Sequence, residues 1–283
     1  MGVAYAEVIG DPISHSKSPL IHGFWLERLG IEAEYRRTQV ATGGLEAHLA
    51  RRREDPHWRG CNVTMPHKQA VMPLLDRVDP AAARIGAVNT VVAGKEGPVG
   101  FNSDVGGFLE PLQSLLAQRH LFRMARVFGA GGAARAVVDG LRSAGFALIV
   151  AARRVEEAKR LVEGLDPHFN HAVPIGHFAE PTDFAFDDRE NILDLVVNTT
   201  PLGMSGREPL GLDFSHVPPG AIVYDAVYDP VETPLLAEAR RRGHPTIDGL
   251  DMLIGQAAIA FEHFFGAPAP RGHDSELRER LTR

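Results

Sequence analysis

The sequence predicts a two-domain α/β protein: an N-terminal domain on a mostly parallel sheet, then a second strand–helix–strand domain. Three observations carry this expectation. Apolar strand-like runs alternate with helical patterns along most of the chain. The 283 residues suit one large domain or two of ordinary size. A glycine-rich turn separates a strand run from a helix run at residues 129–134.

Taken in order, Ala4–Gly10 reads as a buried strand. Ser18-Pro19 reads as an N-cap with Pro at the first helical position, opening a helix to Leu29 that Gly30 stops. Gly60–Thr64 reads as a short strand, Pro66–Leu75 as a helix and Ala87–Ala93 as a strand. Asn102–Asp104 caps a helix over Val105–Gln118, with Phe108, Leu112, Leu115 and Leu116 on its apolar face. Strand Ala125–Phe128, the glycine turn, helix Ala133–Ala144, the Gly145 stop and strand Phe146–Ala152 follow. Together they form a βαβ unit of roughly 30 residues, the size of a dinucleotide-binding half. Further strands are expected at Leu193–Asn198 and Ala221–Tyr224, and a helix over Leu250–Phe265. The stretch 166–191 carries no clear pattern, and its His168 and His171 read as surface. The tail after Pro270 reads as charged and frayed.

Composition narrows the function. Hydrophobic residues at 44% and charged residues at 23% exclude a disordered or fibrous chain. Aromatics are only 7%, so the core must be mainly aliphatic. The net charge is −6, and basic runs extend no further than Arg51–Arg53 and Arg240–Arg242. An electrostatic nucleic-acid binder needs a larger basic footprint, so no nucleic-acid partner is expected, while a basic site for a small anion stays open. Cys61 stands alone, which excludes an intrachain disulfide and fits a reducing cytosol. Residues 1–16 lack Lys and Arg, which reads as no signal peptide. No apolar run approaches the roughly 18–20 residues of a membrane span, so the expected location is cytoplasmic. The histidines show no metal-ligand spacing, so no metal is expected.

Gly129-Ala130-Gly131-Gly132-Ala133-Ala134 is the clearest local signal. Gly129 permits the tight turn, Gly131 lets the backbone approach a pyrophosphate, and small Ala134 allows close helix–strand packing. The helix start offers free N–H groups to the phosphates. At the end of the next strand an NAD site needs an acidic residue for the ribose hydroxyls, but Arg153-Arg154 stand here. Arginine suits a 2′-phosphate, so NADP is the expected dinucleotide. The second cluster is Asn62-Val63-Thr64-Met65-Pro66-His67-Lys68, running from a strand end through a turn. A partly desolvated Lys68 suits a proton donor. Taken alone, Lys68 reads more often as a surface helix residue, Asn62 and Thr64 as turn formers, and Asp104 as an N-cap. Ser16, Ser18 and Asn89 complete the polar set.

In this order and spacing, the segments resemble the shikimate dehydrogenase family over nearly the whole chain. The resemblance rests on Ile9–Ile13 with His15–Pro19, Asn62–Lys68, Gly86–Thr90, Gly100–Asp104 and Gly129–Ala134. It continues through Asn198–Met204, Tyr228 with Pro230, Thr233–Leu236 and Gly249–Gln256. It implies an enzyme that reduces 3-dehydroshikimate to shikimate with NADPH, in the route to chorismate and the aromatic amino acids. By resemblance, Lys68 and Asp104 are the catalytic pair. Ser16, Ser18 and Tyr228 hold the substrate carboxylate, while Asn62, Thr64, Asn89 and Gln256 bind ring hydroxyls. Gly129, Gly131, Gly132 and Ala133 cradle the pyrophosphate, and Arg153 faces the 2′-phosphate with Arg154 beside it. Thr199, Gly249 and Met252 fall where the family meets the cofactor. The family often has Asn-Arg-Thr where this chain has Ala152-Arg153-Arg154. A second cation thus replaces a polar contact. Ser103 stands where Thr is usual. The implied domains are 1–103 plus 250–283 for substrate and 104–249, a Rossmann domain, for NADP(H), in a monomer or homodimer. The alternatives are a quinate/shikimate dehydrogenase using NAD or NADP, or a non-catalytic NADP-binding regulator.

Overall fold

The computed structural model describes residues 2–186 and 190–283. The chain divides into two compact units, Met1–Gly107 with Leu253–Arg283, and Phe108–Met252. The divisions fall a few residues beyond 103/104 and 249/250. Asp104 therefore belongs to the first unit, while Gly249 and Met252 belong to the second.

The first unit runs β1 (Ala4–Gly10), α1 (Ser18–Leu29), β2 (Ala33–Gln39), α2 (Leu45–Arg53), β3 (Trp58–Val63), β4 (Arg77–Val78), α3 (Pro80–Ile85), β5 (Thr90–Val92) and β6 (Val99–Phe101). Its sheet has the order β2-β1-β3-β5-β6-β4. The β1–β2, β1–β3 and β4–β6 pairs are parallel, and β5 is antiparallel to both its neighbours. Tyr5, Ile9, Trp58 and Val91 pack in one apolar cluster of this unit. Gly30 ends α1 in the left-handed conformation.

Four expectations for this chain need correction. Ser18 is not the N-cap of α1: Lys17 takes that place without a side-chain bond, and Ser18 lies buried in the first turn. No α-helix forms over Pro66–Leu75, where only a 3-10 turn at Met72–Leu74 appears. Pro73 explains this, because it has no N–H to give and its ring clashes with the preceding turn. The helix expected over Val105–Gln118 is split into α4 (Asp104–Leu109), a 3-10 turn at Glu110–Leu112 and α5 (Gln113–Leu116). Pro111 sits at the break. The tail is not frayed but forms a terminal helix over Asp274–Thr282, because Leu277 and Leu281 bury on one side of it.

The second unit continues with β7 (Phe122–Phe128), α6 (Gly132–Ser143), β8 (Ala147–Ala152), α7 (Val155–Val162), β9 (His171–Pro174), β10 (Ile192–Asn198), β11 (Ile222–Asp225), α8 (Pro234–Arg241) and β12 (Thr246–Ile247). Helices α9 (Gly249–Phe265) and α10 (Asp274–Thr282) end the chain. The unpatterned stretch thus contains β9 and a 3-10 turn at Ile175–Phe178, while residues 187–189 lie outside those described. All strand pairs in this sheet are parallel, in the order β12-β11-β10-β7-β8-β9. Apolar clusters cover it: Val127, Leu148 and Leu195 belong to one, Phe128, Val196 and Val223 to another. Alternate residues of one strand feeding different clusters is the mark of a sheet buried on both faces. The strand order reverses between β7 and β10. In open α/β sheets ligands bind beyond the carboxyl ends of the strands at that reversal. Among the described residues, no helix is long and apolar enough to cross a membrane.

Candidate active site

Lys68 and Asp104 meet in the first unit. Lys68 sits in the turn after β3, and Asp104 opens α4, its N–H accepted by Asn102 Oδ1 at 3.0 Å. Lys68 Nζ donates to Asp104 Oδ2 at 2.5 Å. Asp104 is 6% exposed at its side chain and Lys68 17%, so both are largely removed from solvent. The other carboxylate oxygen accepts Asn89 Nδ2 at 2.8 Å. Asn89 is itself fixed, because Ser103 N–H donates to its Oδ1 at 2.8 Å. Gln256, carried in by α9, accepts Ser103 Oγ at 3.3 Å and gives one Nε2 proton to Leu253 O at 3.1 Å. Its second Nε2 proton remains to donate. Asn62 gives its amide protons to Asn89 O at 3.2 Å and Thr90 Oγ1 at 3.1 Å, and accepts Tyr35 OH at 2.6 Å. One lone pair of its oxygen remains.

The two serines lie near the start of α1. Ser16 Oγ accepts the Ser18 N–H at 3.3 Å, and Arg37 Nη2 holds the Ser16 carbonyl at 2.6 Å. None of the hydrogen bonds among the described residues engages Ser18 Oγ. Thr64 is half-buried, and its N–H donates to Ile9 O at 2.9 Å. Asn89, with Ser103 and Gln256 on its amide, stands against the Lys68–Asp104 pair, whereas no hydrogen bond among the described residues joins Ser16, Ser18 or Thr64 to that pair. Tyr228 is not in this unit; it lies in the second, between β11 and α8.

The second unit supplies a backbone cradle. Gly129 has φ 115°, and a Cβ there would stand 2.4 Å from Thr199 Oγ1, so only glycine fits. Thr199 closes over the end of β7: its N–H and hydroxyl both donate to Phe128 O, at 2.9 and 2.6 Å. Gly131 is the N-cap of α6, with open space where a Cβ would lie. Gly132 and Ala133 give their N–H groups at the helix start, where an anion is favoured. Ala134 is fully buried against the sheet. Gly249 opens α9 so close to β11 that a Cβ would meet Ala226 O and Val227 O at 2.5 and 2.4 Å. Met252 packs into the apolar core of the unit.

The two arginines after β8 separate. Arg154 pairs with Glu157 at 2.8 Å on an exposed surface. Arg153 is exposed and has no ion-pair or hydrogen-bond partner among the described residues. An open glycine cradle, a free helix start and an uncommitted guanidinium fit a dinucleotide carrying a 2′-phosphate.

Sequence reasoning missed Asp225, at the end of β11. It accepts Asn198 Nδ2 at 2.9 Å, Thr233 Oγ1 at 2.7 Å and the Val227 N–H at 3.0 Å. Burial pushes its carboxyl up to about 6 against the pull of those bonds. It ties β10, the loop to Tyr228 and the Thr233 N-cap of α8 together. The signal was a lone carboxylate closing an apolar strand run.

Fold and site define a two-domain α/β oxidoreductase of the nicotinamide-dinucleotide class. Residues 8–91 match the model of the shikimate dehydrogenase substrate binding domain, and residues 249–273 that of the shikimate 5′-dehydrogenase C-terminal domain. The shikimate dehydrogenase (NADP(+)) of Sphingopyxis alaskensis is 49% identical over 279 residues, 98% of this chain and 97% of that protein. The structure of shikimate 5-dehydrogenase from Thermus thermophilus with NADP(H) and shikimate aligns with TM-score 0.82 at 35% identity, covering 98% of this chain and 99% of that one. Quinate dehydrogenase from Corynebacterium glutamicum, in complex with NAD, aligns with TM-score 0.79 at 30% identity, covering 98% and 99%. The chain belongs to the shikimate dehydrogenase family.

Proposed function

We propose that this chain catalyses the reversible NADPH-dependent reduction of 3-dehydroshikimate to shikimate. The observation that carries the reading is the Lys68–Asp104 contact at 2.5 Å, ringed by the hydroxyl-binding groups of Asn89 and Gln256. The chemistry supplied by the bound dinucleotide is hydride exchange at the C3 carbon of the substrate. Lys68 Nζ keeps two N–H groups beyond the one given to Asp104. It stabilises the alkoxide that forms at C3 and protonates it; in oxidation the same nitrogen takes the hydroxyl proton. Asp104 holds Lys68 with one oxygen, and its remaining lone pairs accept a neighbouring ring hydroxyl. Ser16, Ser18 and Tyr228 take the carboxylate; Asn62, Thr64, Asn89 and Gln256 take the ring hydroxyls. Gly129, Gly131, Gly132 and Ala133 hold the pyrophosphate, Arg153 binds the 2′-phosphate, and Thr199, Gly249 and Met252 border the nicotinamide side. Arg154 acts only through its charge. The reaction is the work of a monomer or homodimer in the cytoplasm.

Initial rates at 340 nm test this in a two-by-two design, shikimate or quinate with NADP⁺ or NAD⁺. A kcat/KM for shikimate with NADP⁺ at least about tenfold above the other three, or 1.4 kcal/mol, supports the reading. Dominance of quinate or NAD⁺ moves the protein to the sibling activity. No turnover in any pair, with folded protein, removes the substrate assignment.

A further inference from the structure

Tyr35 belongs to no sequence motif, yet its hydroxyl begins a hydrogen-bonded line that ends on the catalytic carboxylate. Tyr35 OH donates to Asn62 Oδ1 at 2.6 Å. Asn62 Nδ2 donates to Thr90 Oγ1 at 3.1 Å. Thr90 Oγ1 donates to Asn89 Oδ1 at 3.0 Å. Asn89 Nδ2 donates to Asp104 Oδ1 at 2.8 Å. Lys68 donates to the other oxygen from the opposite side. All four links run in one direction.

That direction is forced by groups that cannot exchange roles. The Ser103 N–H can only donate, so the amide oxygen of Asn89 faces it, at 2.8 Å, and the nitrogen faces Asp104. The Asn89 carbonyl can only accept, so Asn62 turns its nitrogen there, at 3.2 Å, and its oxygen to Tyr35. In these two contacts Thr90 donates to Asn89 and accepts from Asn62, while Ser103 Oγ, 3.3 Å from the same hydroxyl, can take either role. Tyr35 is 8% exposed, Asn62 6% and Thr90 0%, so the line runs largely out of solvent. The phenol is held as a donor, because burial pushes its titration well above the ordinary value. Its ring stacks on His22, with centroids 3.9 Å apart and planes at 4°. Burial pushes His22 down to about 3, so the stacked imidazole is neutral.

We propose that Tyr35 is a positioning residue for the Lys68–Asp104 pair, acting through the polarised line Asn62–Thr90–Asn89. Hydrogen bonds in such a line strengthen one another. Without the phenol hydroxyl, Asn62 loses the donor that fixes its amide, and the order passed to Asn89 and Asp104 weakens. The inference rests on the proposed reading only for what the pair does, not for how it is held.

The test is a double-mutant cycle of Tyr35→Phe and Thr90→Val, with side-chain amide NMR of Tyr35→Phe beside it. Tyr35→Phe is expected to lower kcat/KM for shikimate about tenfold, the value of one buried hydrogen bond to an ordered site, with KM for NADP⁺ unchanged. The double variant should match Thr90→Val within about twofold, because Tyr35 acts through Thr90. Multiplicative losses, or a wild-type kcat/KM in Tyr35→Phe, overturn the proposal. The NMR arm needs no turnover and no second variant: the Asn89 side-chain amide proton should move upfield in Tyr35→Phe. An unmoved resonance also overturns it. If the wild-type protein does not oxidise shikimate, the proposed function fails while the Asn89 resonance still decides the role of Tyr35.

Discussion

The side chain of Asn89 in the first unit bonds Thr90, Ser103, Asp104 and Gln256, whereas Arg153 in the second has no partner among the described residues. The first unit organises its site with side chains that hold one another largely out of solvent. The second organises its site with backbone, glycines and a helix start, beside an exposed cation that has no partner among the described residues. On the proposed assignment of the site residues, the difference follows from what each recognises. A ring carrying several hydroxyls calls for directional donors and acceptors, each fixed before binding. A pyrophosphate calls for charge and close approach, which N–H groups and absent side chains provide.

Removing Lys68 is the strongest way to break the comparison. Lys68→Ala should lower kcat by roughly 10²–10⁴, the range of a positioned acid–base group, with KM for NADP⁺ unchanged. Steady-state kinetics read both. A kcat near wild type would remove Lys68 from the chemistry and leave the first unit with only a binding role.

Buried charge gives the next effect, on stability. Glu7 on β1 is fully buried, and burial raises its carboxyl. Hydrogen bonds from His48, Arg52 and Thr38 outweigh that and hold it at about 2 against an ordinary 4.5. A carboxyl lowered in the folded state stabilises it above the unfolded value and ceases to do so as pH falls toward the folded one. About 3 kcal/mol should therefore be lost between pH 4.5 and 2. Urea titrations across that window measure it, and Glu7→Gln should flatten the curve. A curve equally steep in the variant would place the acid sensitivity elsewhere.

Arg153→Ala sharpens the second side of the comparison. It should weaken NADPH by roughly 10–100-fold and leave NADH nearly unchanged, since a charge-assisted bond contributes about 1.5–3 kcal/mol. Equal losses for both cofactors would make Arg153 structural. The smallest effect is expected from Arg154→Ala, because Arg154 already faces Glu157 on the surface and such pairs contribute about 0–1 kcal/mol. The NADPH/NADH preference should change less than about threefold. A larger change would mean that Arg154 leaves Glu157 for the phosphate.

Legibility in the sequence followed the same division. The cradle of the second unit could be read locally, because a tight turn, a helix start and a close approach each demand particular residues at adjacent positions. Strand Ala4–Gly10 and the Gly30 stop were equally local, set by an apolar run and a left-handed position. The helix expected at Pro66–Leu75 and not found, and the break overlooked at Pro111, came from following a helical pattern past a proline. The terminal helix was missed because two buried leucines among many charges leave a weak pattern. The network of the first unit was illegible from its residues alone. Asn62, Asn89 and Gln256 each look like turn or surface amides, and only long-range contact makes them partners. The family resemblance pointed to them; Tyr35 and Asp225 had no such pointer.

The divided first unit also constrains the order in which the chain can mature. Residues 253–283 leave the ribosome after the whole of the second unit. Until then the first sheet lacks Gln256, and His22 and Trp25 lack the Phe261 ring that packs 5.8 and 5.5 Å away. On the proposed assignment, the nucleotide cradle can therefore be complete on a nascent chain while the substrate site still lacks Gln256. The growing polypeptide acquires recognition of the ring only after it has the means to hold a nucleotide.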